Sequence, residues 1–258
     1  EKESMCAIEW FVMNQMIINP DKFQAIIISN NLKENNSYFL KINNVEIKSQ
    51  SSVQLLGIEI DVKLNFENHI NRLCKKANNQ LNAFISIQKY FNLKEKETII
   101  NTFVYSSFHY CALAWHFCSK KSTKKIEKIQ ERSLRIIVKD HESDYETLLQ
   151  KTDNHTIEVN RLRNIAVEIF ETFNNLNPEF MKDIFFTSPY KTHWPNDISI
   201  QRFTTSKYGK NSLRILGAHI WNSFPKEVKI MSSLPDFKSF INNWKGPNCK
   251  CKLFKYLS

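Results

Sequence analysis

The period of the hydrophobic pattern changes once along this chain, just after Asp61, and that change sets its fold class. Before it, apolar residues come in short runs bounded by turn formers. Residues 23–28 (FQAIII) make one such run and predict a strand. Residues 39–42 and 45–47 flank Asn43-Asn44, and asparagine tolerates positive φ, so a tight hairpin turn is expected between them. Residues 53–60 supply a further strand with Gly57 inside it, which points to a bulge or a close backbone approach. Three or four strands of this kind fit one small antiparallel sheet. Ahead of them, residues 9–18 read as the end of a helix stopped by Asn19-Pro20.

After Asp61 the period is 3.6. Ile70, Leu73, Ala77, Leu81 and Phe84 recur at spacings of three and four, on a helix opening near Asn65. Leu162, Ile165, Ile169, Phe173 and Leu176 do the same on a later helix, ended by Asn177-Pro178. Ser143, with Glu146 three residues on, has the form of a capping box. Ser233 and Asp236 repeat it in weaker form ahead of Phe237, Phe240, Ile241 and Trp244. Residues 174–202 hold three prolines and several polar turns and should be the loosest region. The expectation is an α+β chain. A small antiparallel sheet occupies 1–62, a mainly helical region 63–176, and a helical C-terminal extension 177–258.

Composition removes several function classes. Four glycines in 258 residues cannot assemble a glycine-rich phosphate loop. Residues 98–118 are apolar but carry Asn101, Ser106, Ser107, His109 and His116, which argues for a buried helix or helix pair and against a membrane span. The six cysteines are mostly far apart, so free thiols and a reducing compartment are expected, not secretion. The chain opens at Glu1 with a helix already under way, which reads as a piece of a longer protein.

The net charge of +10 favours a polyanionic partner. Its centre is residues 120–139, where eight cations meet only Glu127 and Glu131, a local excess of +6. On a helical wheel Lys121, Lys125, Lys128, Arg132, Arg135 and Lys139 fall within about 80° of one another. Ile126, Ile129, Leu134, Ile136 and Ile137 take the other side. A line of cations over about 27 Å repels itself unless a polyanion runs past. One reading is a solvated helix face; the other is a nucleic-acid grip, of the kind that holds phosphate and carries no sequence information.

Other constellations are weaker. His109, Cys111, His116 and Cys118 spell a metal-like pattern, but residues two apart on a helix point away from each other. Cys249 and Cys251 supply half of a zinc knuckle, with His193 and His219 unconstrained by spacing. Glu59 and Asp61 share one face of a strand, where solvent-facing acids are commoner than metal ligands. No nucleophile–base arrangement is visible.

The order of several short motifs resembles a known family. Trp10-Phe11, Asn14 and Asn19-Pro20-Asp21-Lys22-Phe23 resemble the segment after the catalytic aspartates in reverse transcriptases of LINE-type, non-LTR retrotransposons. LLGIEID at 55–61 looks like the primer-grip hairpin that closes the palm, and Phe66 with His69-Ile70 like the start of the thumb. Tyr110-Cys111, Trp115-His116, KIEKIQERSLR at 125–135, Arg161-Leu162-Arg163, Ser212-Leu213-Arg214, Gly217 and IWNSFP at 220–225 continue the match in order. It is closest to the jockey-like mobile-element polymerases of invertebrate animals.

That resemblance implies an RNA-directed DNA polymerase whose end of palm, thumb and C-terminal extension are present here. It implies an RNA template and DNA primer duplex, and the upstream part of the same polymerase, as partners. Lys22 would act as general acid toward the leaving pyrophosphate in the complete enzyme, and Leu56 and Gly57 would form the primer grip. The basic helix would lie along the duplex backbone. Two-metal nucleotidyl transfer needs palm aspartates, and no Asp-Asp pair occurs in this sequence, so the chain is expected to be inactive alone. Mg²⁺ belongs to the complete polymerase; no cofactor, metal or membrane is expected for this chain. Where relatives end in C-x-C-x-x-C, Phe254 replaces the third cysteine. Nuclear or cytoplasmic localisation follows from the resemblance. The alternatives are a non-catalytic nucleic-acid-binding module and the remnant of a decayed element.

Overall fold

The computed structural model describes residues 2–29, 38–42, 45–185, 197–200, 202–205 and 209–246. The Asn43-Asn44 turn, His193, Cys249, Cys251 and Phe254 lie outside the described residues, as do large parts of 174–202. The fold is α+β: strands near the N-terminus, then helices. The chain packs as two compact units, Glu1–Arg72 and Leu73–Ser258.

In the first unit, helix α1 (Lys2–Met13) ends earlier than the proline suggests. Gln15 turns left-handed (φ 56°), and the N–H groups of Gln15 and Met16 reach back to Val12 and Phe11. These bonds satisfy the last carbonyls before Asn19-Pro20 is reached. Two antiparallel hairpins follow, β1 (Phe39–Ile42) with β2 (Val45–Lys48), and β3 (Ser52–Leu55) with β4 (Ile58–Asp61). The single sheet expected from the sequence is therefore two two-stranded ones. The run 53–60 is not one strand, because Leu56 (φ 47°) and Gly57 (φ 83°) are both left-handed and fold it back on itself. A two-residue turn of that kind matches the twist of paired strands.

Nor do residues 23–28 form a strand. Among the described residues their one ladder contact is the bridge Ala25↔Ser49. The segment is a strap that serves both hairpins: the Gln50 N–H donates to Ala25 C=O at 2.8 Å, and the Gln54 N–H to Gln24 Oε1 at 2.8 Å.

Helix α2 (Glu67–Ile87) buries Ile70, Ala77, Leu81 and Phe84 of the periodic face expected from the sequence; Cys74 is buried in place of Leu73, which is half-buried. It starts two residues after Asn65 because the Asp61 carboxylate accepts the N–H groups of Asn65 and Phe66, the latter at 2.6 Å.

The second unit continues with α3 (Leu93–Ile100), opened by a reciprocal Asn92–Glu95 capping box. A π-helical turn (Asn101–Tyr105) leads into α4 (Ser106–His109), and a left-handed Cys111 precedes α5 (Ala112–Trp115). The apolar run 98–118 is thus a broken helix whose buried residues include Ile100, Val104, Phe108 and Trp115. Among the described residues no helix is long and apolar enough to cross a membrane. Then come α6 (Lys120–Val138), α7 (Tyr145–Lys151) and α8 (Ile157–Phe173). The cap of α7 is Asp144, not Ser143: Asp144 accepts the Thr147 N–H, while the Ser143 hydroxyl is committed to Asp140.

Helices α9 (Leu213–Asn222), α10 (Lys226–Lys229) and α11 (Leu234–Asn243) complete the unit, the last capped by Ser233. Its core gathers on α8. Leu162, Ile165, Ile169 and Phe170 pack with Ile220 and Trp221 of α9 and Phe237 and Ile241 of α11. Phe170 and Phe237 stack at 4.3 Å. Residues on both sides of position 177 therefore share one core. Leu176 does not join it; α8 stops at Phe173, Asn175 turns left-handed, and Leu176 is 57% exposed.

Candidate nucleic-acid interface

Helix α6 is placed by what it buries. Ser119 caps it by accepting the Ser122 N–H. Ile126, Ile129, Leu134, Ile136 and Ile137 are all buried. Gln130, 1% exposed, has every amide atom committed: Nε2 donates to His155 C=O, and Oε1 accepts from the Ile157 N–H and the Tyr145 hydroxyl. Glu127 Oε2 also faces that hydroxyl, whose single proton it shares with Gln130 Oε1, and Glu127 Oε1 accepts from the Glu158 N–H. These polar bonds tie α6 to α7 and α8, so the rotation of α6 about its axis is set by buried groups. Sequence reading missed Gln130 and Tyr145, whose partners lie 15 to 27 positions away.

That rotation divides the predicted cation stripe. Lys121, Lys128 and Lys139 are exposed; Lys125, Arg132 and Arg135 are half-buried. Arg132 is bonded to α2, Nη1 donating to Asn78 Oδ1 at 2.7 Å and Nη2 to Asn82 Oδ1 at 2.6 Å. Arg135 pairs with Glu131 at 2.8 Å and donates to His141 C=O. Lys125 lies close enough to Cys74 of α2 to oppose the rise that burial gives that thiol, which stands at about 11. The outward face instead takes in Lys120 and Lys124, which the stripe left aside. Among the described residues Lys121, Lys124 and Lys128 make no ion pair. At the far end Lys96 of α3 is buried near Lys139, and burial, then that like charge, lowers its pKa.

The remaining site residues belong to the first unit. Lys22 is exposed and closes the 3₁₀ turn Pro20–Lys22, where Asn19 accepts the Asp21 N–H. Leu56, 80% exposed, and Gly57 form the tip of the β3–β4 hairpin. The Gly57 carbonyl accepts from Arg72 Nη2 at 2.8 Å, which braces the tip against α2. The strap Gln24–Ala25 brings the Lys22 turn within a few residues of both hairpins.

Among the described residues no group of three or more His, Cys, Asp or Glu could hold a metal. Asp61 spends its carboxylate on the backbone N–H groups of Lys63, Asn65 and Phe66, and Glu59 faces the Ser52 hydroxyl. These two acids do not fit a two-metal site. His116 is half-buried with its Nδ1 shielded from solvent, and that desolvation with the Arg161 charge pushes its pKa down to about 3. Arg161 is 1% exposed and lies over the Trp115 ring at 5.0 Å.

Comparison with known families, with curated proteins and with solved structures found no match. The chemistry available to the site is therefore that of its own residues. Among the described residues its outward face is made of exposed ammonium groups, whose chemistry suits contact with phosphate.

Proposed function

We propose that this chain is the duplex-gripping C-terminal part of an RNA-directed DNA polymerase of the non-LTR retrotransposon kind. In this reading it holds an RNA template and DNA primer by their phosphates. The observation that carries the reading is the outward face of α6. Lys121, Lys124 and Lys128 stand within two turns of one another, exposed and without ion pairs among the described residues, on a helix whose rotation is locked from behind. Like charges so close repel, and a phosphate backbone relieves that repulsion. The ordered motifs of the sequence favour the polymerase reading over other phosphate binders. Leu56 at its hairpin tip and Lys22 on its turn are both exposed, as contact with a primer end would require.

The test is the salt dependence of binding. Anisotropy of a labelled RNA–DNA hybrid should follow a steep fall of affinity with salt, measured on the full chain. Changing Lys121, Lys124 and Lys128 together to alanine should flatten the logarithmic slope by about 2.7, at about 0.9 per phosphate contact. A slope unchanged by the triple substitution would refute the grip.

A further inference from the structure

The end of α11 is held from outside the helix. Trp244 follows it in extended conformation, and its carbonyl accepts two hydrogen bonds from Arg163 of α8, from Nε at 2.9 Å and Nη2 at 2.6 Å. Arg163 is itself buried. A guanidinium that gives two donors to one carbonyl fixes the residue bearing it. The residue so fixed is an indole on an aromatic cluster. Trp244 meets Phe224 at 5.4 Å with planes at 73°, and Phe240, one turn earlier, meets the same ring at 5.7 Å and 87°. Two aromatic rings thus stand nearly upright on a common third.

These rings line a cavity of about 500 Å³ together with Ser223, Asn243 and Lys245. Its size lies within the range of small-ligand sites, about 300–1,000 Å³. Its walls combine flat π surface, an amide with both donor and acceptor, and one exposed cation. Among the described residues no carboxylate lines it. A purely apolar ligand would have no use for Lys245 and Asn243, and a bare phosphate none for the rings. A nucleotide uses all three.

We infer that this cavity receives one unpaired nucleobase, stacked on Trp244, with Lys245 against its phosphate; the inference rests on the phosphate grip proposed above. Every base has a π face, so stacking here is tolerant of sequence, as the phosphate contacts of α6 are. Arg163 acts as a positioning residue for the indole. The cavity supplies what the lysine face lacks, a means of telling an unpaired strand from a continuous duplex.

The experiment compares two probes of equal length and charge on the full chain, a 12-residue oligothymidylate and its abasic counterpart. The base-bearing strand should bind about tenfold tighter. Trp244→Leu should abolish that preference, bringing the two probes to equal affinity. In the unaltered chain, 2-aminopurine within the oligonucleotide should be quenched on binding, a readout that needs no variant. Equal affinities for the two probes, a preference that survives Trp244→Leu, or unquenched 2-aminopurine would overturn the cavity assignment and leave the α6 grip standing. Failure of both probes to bind would overturn the grip and the cavity together.

Discussion

Replacing Arg132 by alanine separates what the α6 cations do for the fold from what the proposed grip would ask of them. The guanidinium spans two asparagines one turn apart on α2, at 2.7 and 2.6 Å. A hydrogen bond with a charged partner is worth about 1.5–3 kcal/mol when shielded. Here Arg132 and Asn78 are half-buried and Asn82 is exposed, so water replaces much of the second bond. A total loss of about 1.5–2 kcal/mol follows. For a unit of this size each kcal/mol moves the melting temperature by roughly 2–4 °C, so thermal unfolding should shift down by about 3–8 °C. Arg132→Lys, a point donor that reaches one asparagine, should lose about half as much. With Asn78 and Asn82 already changed to alanine, Arg132→Ala should cost under about 0.5 kcal/mol. Hybrid-binding salt slopes complete the test: Lys128→Ala should flatten the slope by about 0.9, and Arg132→Ala by clearly less. An Arg132→Ala protein with wild-type melting and a slope lowered as much as by Lys128→Ala would refute the division of labour.

Two further outcomes follow from the second unit. Burial pushes the Glu158 carboxyl up to about 7, with Arg161 opposing the rise and Glu127 adding to it. An acid that holds its proton more tightly folded than unfolded stabilises fully below its unfolded value near 4.5, and that stability is lost as pH rises through 7. Urea midpoints should therefore fall between pH 5 and 7.5, and Glu158→Gln should flatten that fall; an identical profile in the variant would contradict it. Gly217 of α9 has no room for a methyl, since a Cβ would lie 2.7 Å from Phe185 Cε1 and 3.0 Å from Ile169 Cδ1. Gly217→Ala should cost about 1–3 kcal/mol in denaturant melts, and less in a Phe185→Leu background.

What could be read in advance was local. The 3.6 period placed the apolar faces of α2, α6 and α8, and β1, β2 and the Ser233 cap stand where their short patterns put them. The strap at 23–28 was misread because its composition is that of a strand, while strand formation needs a partner that the sequence does not name. The pattern of 53–60 read as one strand because its fold-back turns on a left-handed Leu56, and leucine gives no warning of that conformation; only the resemblance pointed to a hairpin there. Within the candidate site, the cation stripe was legible as a helical face. Its division was not, because Arg132 answers to Asn78 and Asn82 some 50 residues away. Likewise Arg163 and Trp244 stand 81 positions apart, and neither is unusual until the other is beside it.

The last residue of the α6 ridge has a consequence of its own. Lys139 ends the helix at φ 56°, and the N–H groups of Lys139 and Asp140 both return to the Arg135 carbonyl. Glycine is the usual occupant of such a position, and any side chain there works against about 1–2 kcal/mol of steric resistance. The chain spends very few glycines, and at this bend it carries an ammonium group instead. Backbone resistance and positive charge thus sit on one residue: a glycine at 139 would relieve the first and remove the second in a single exchange.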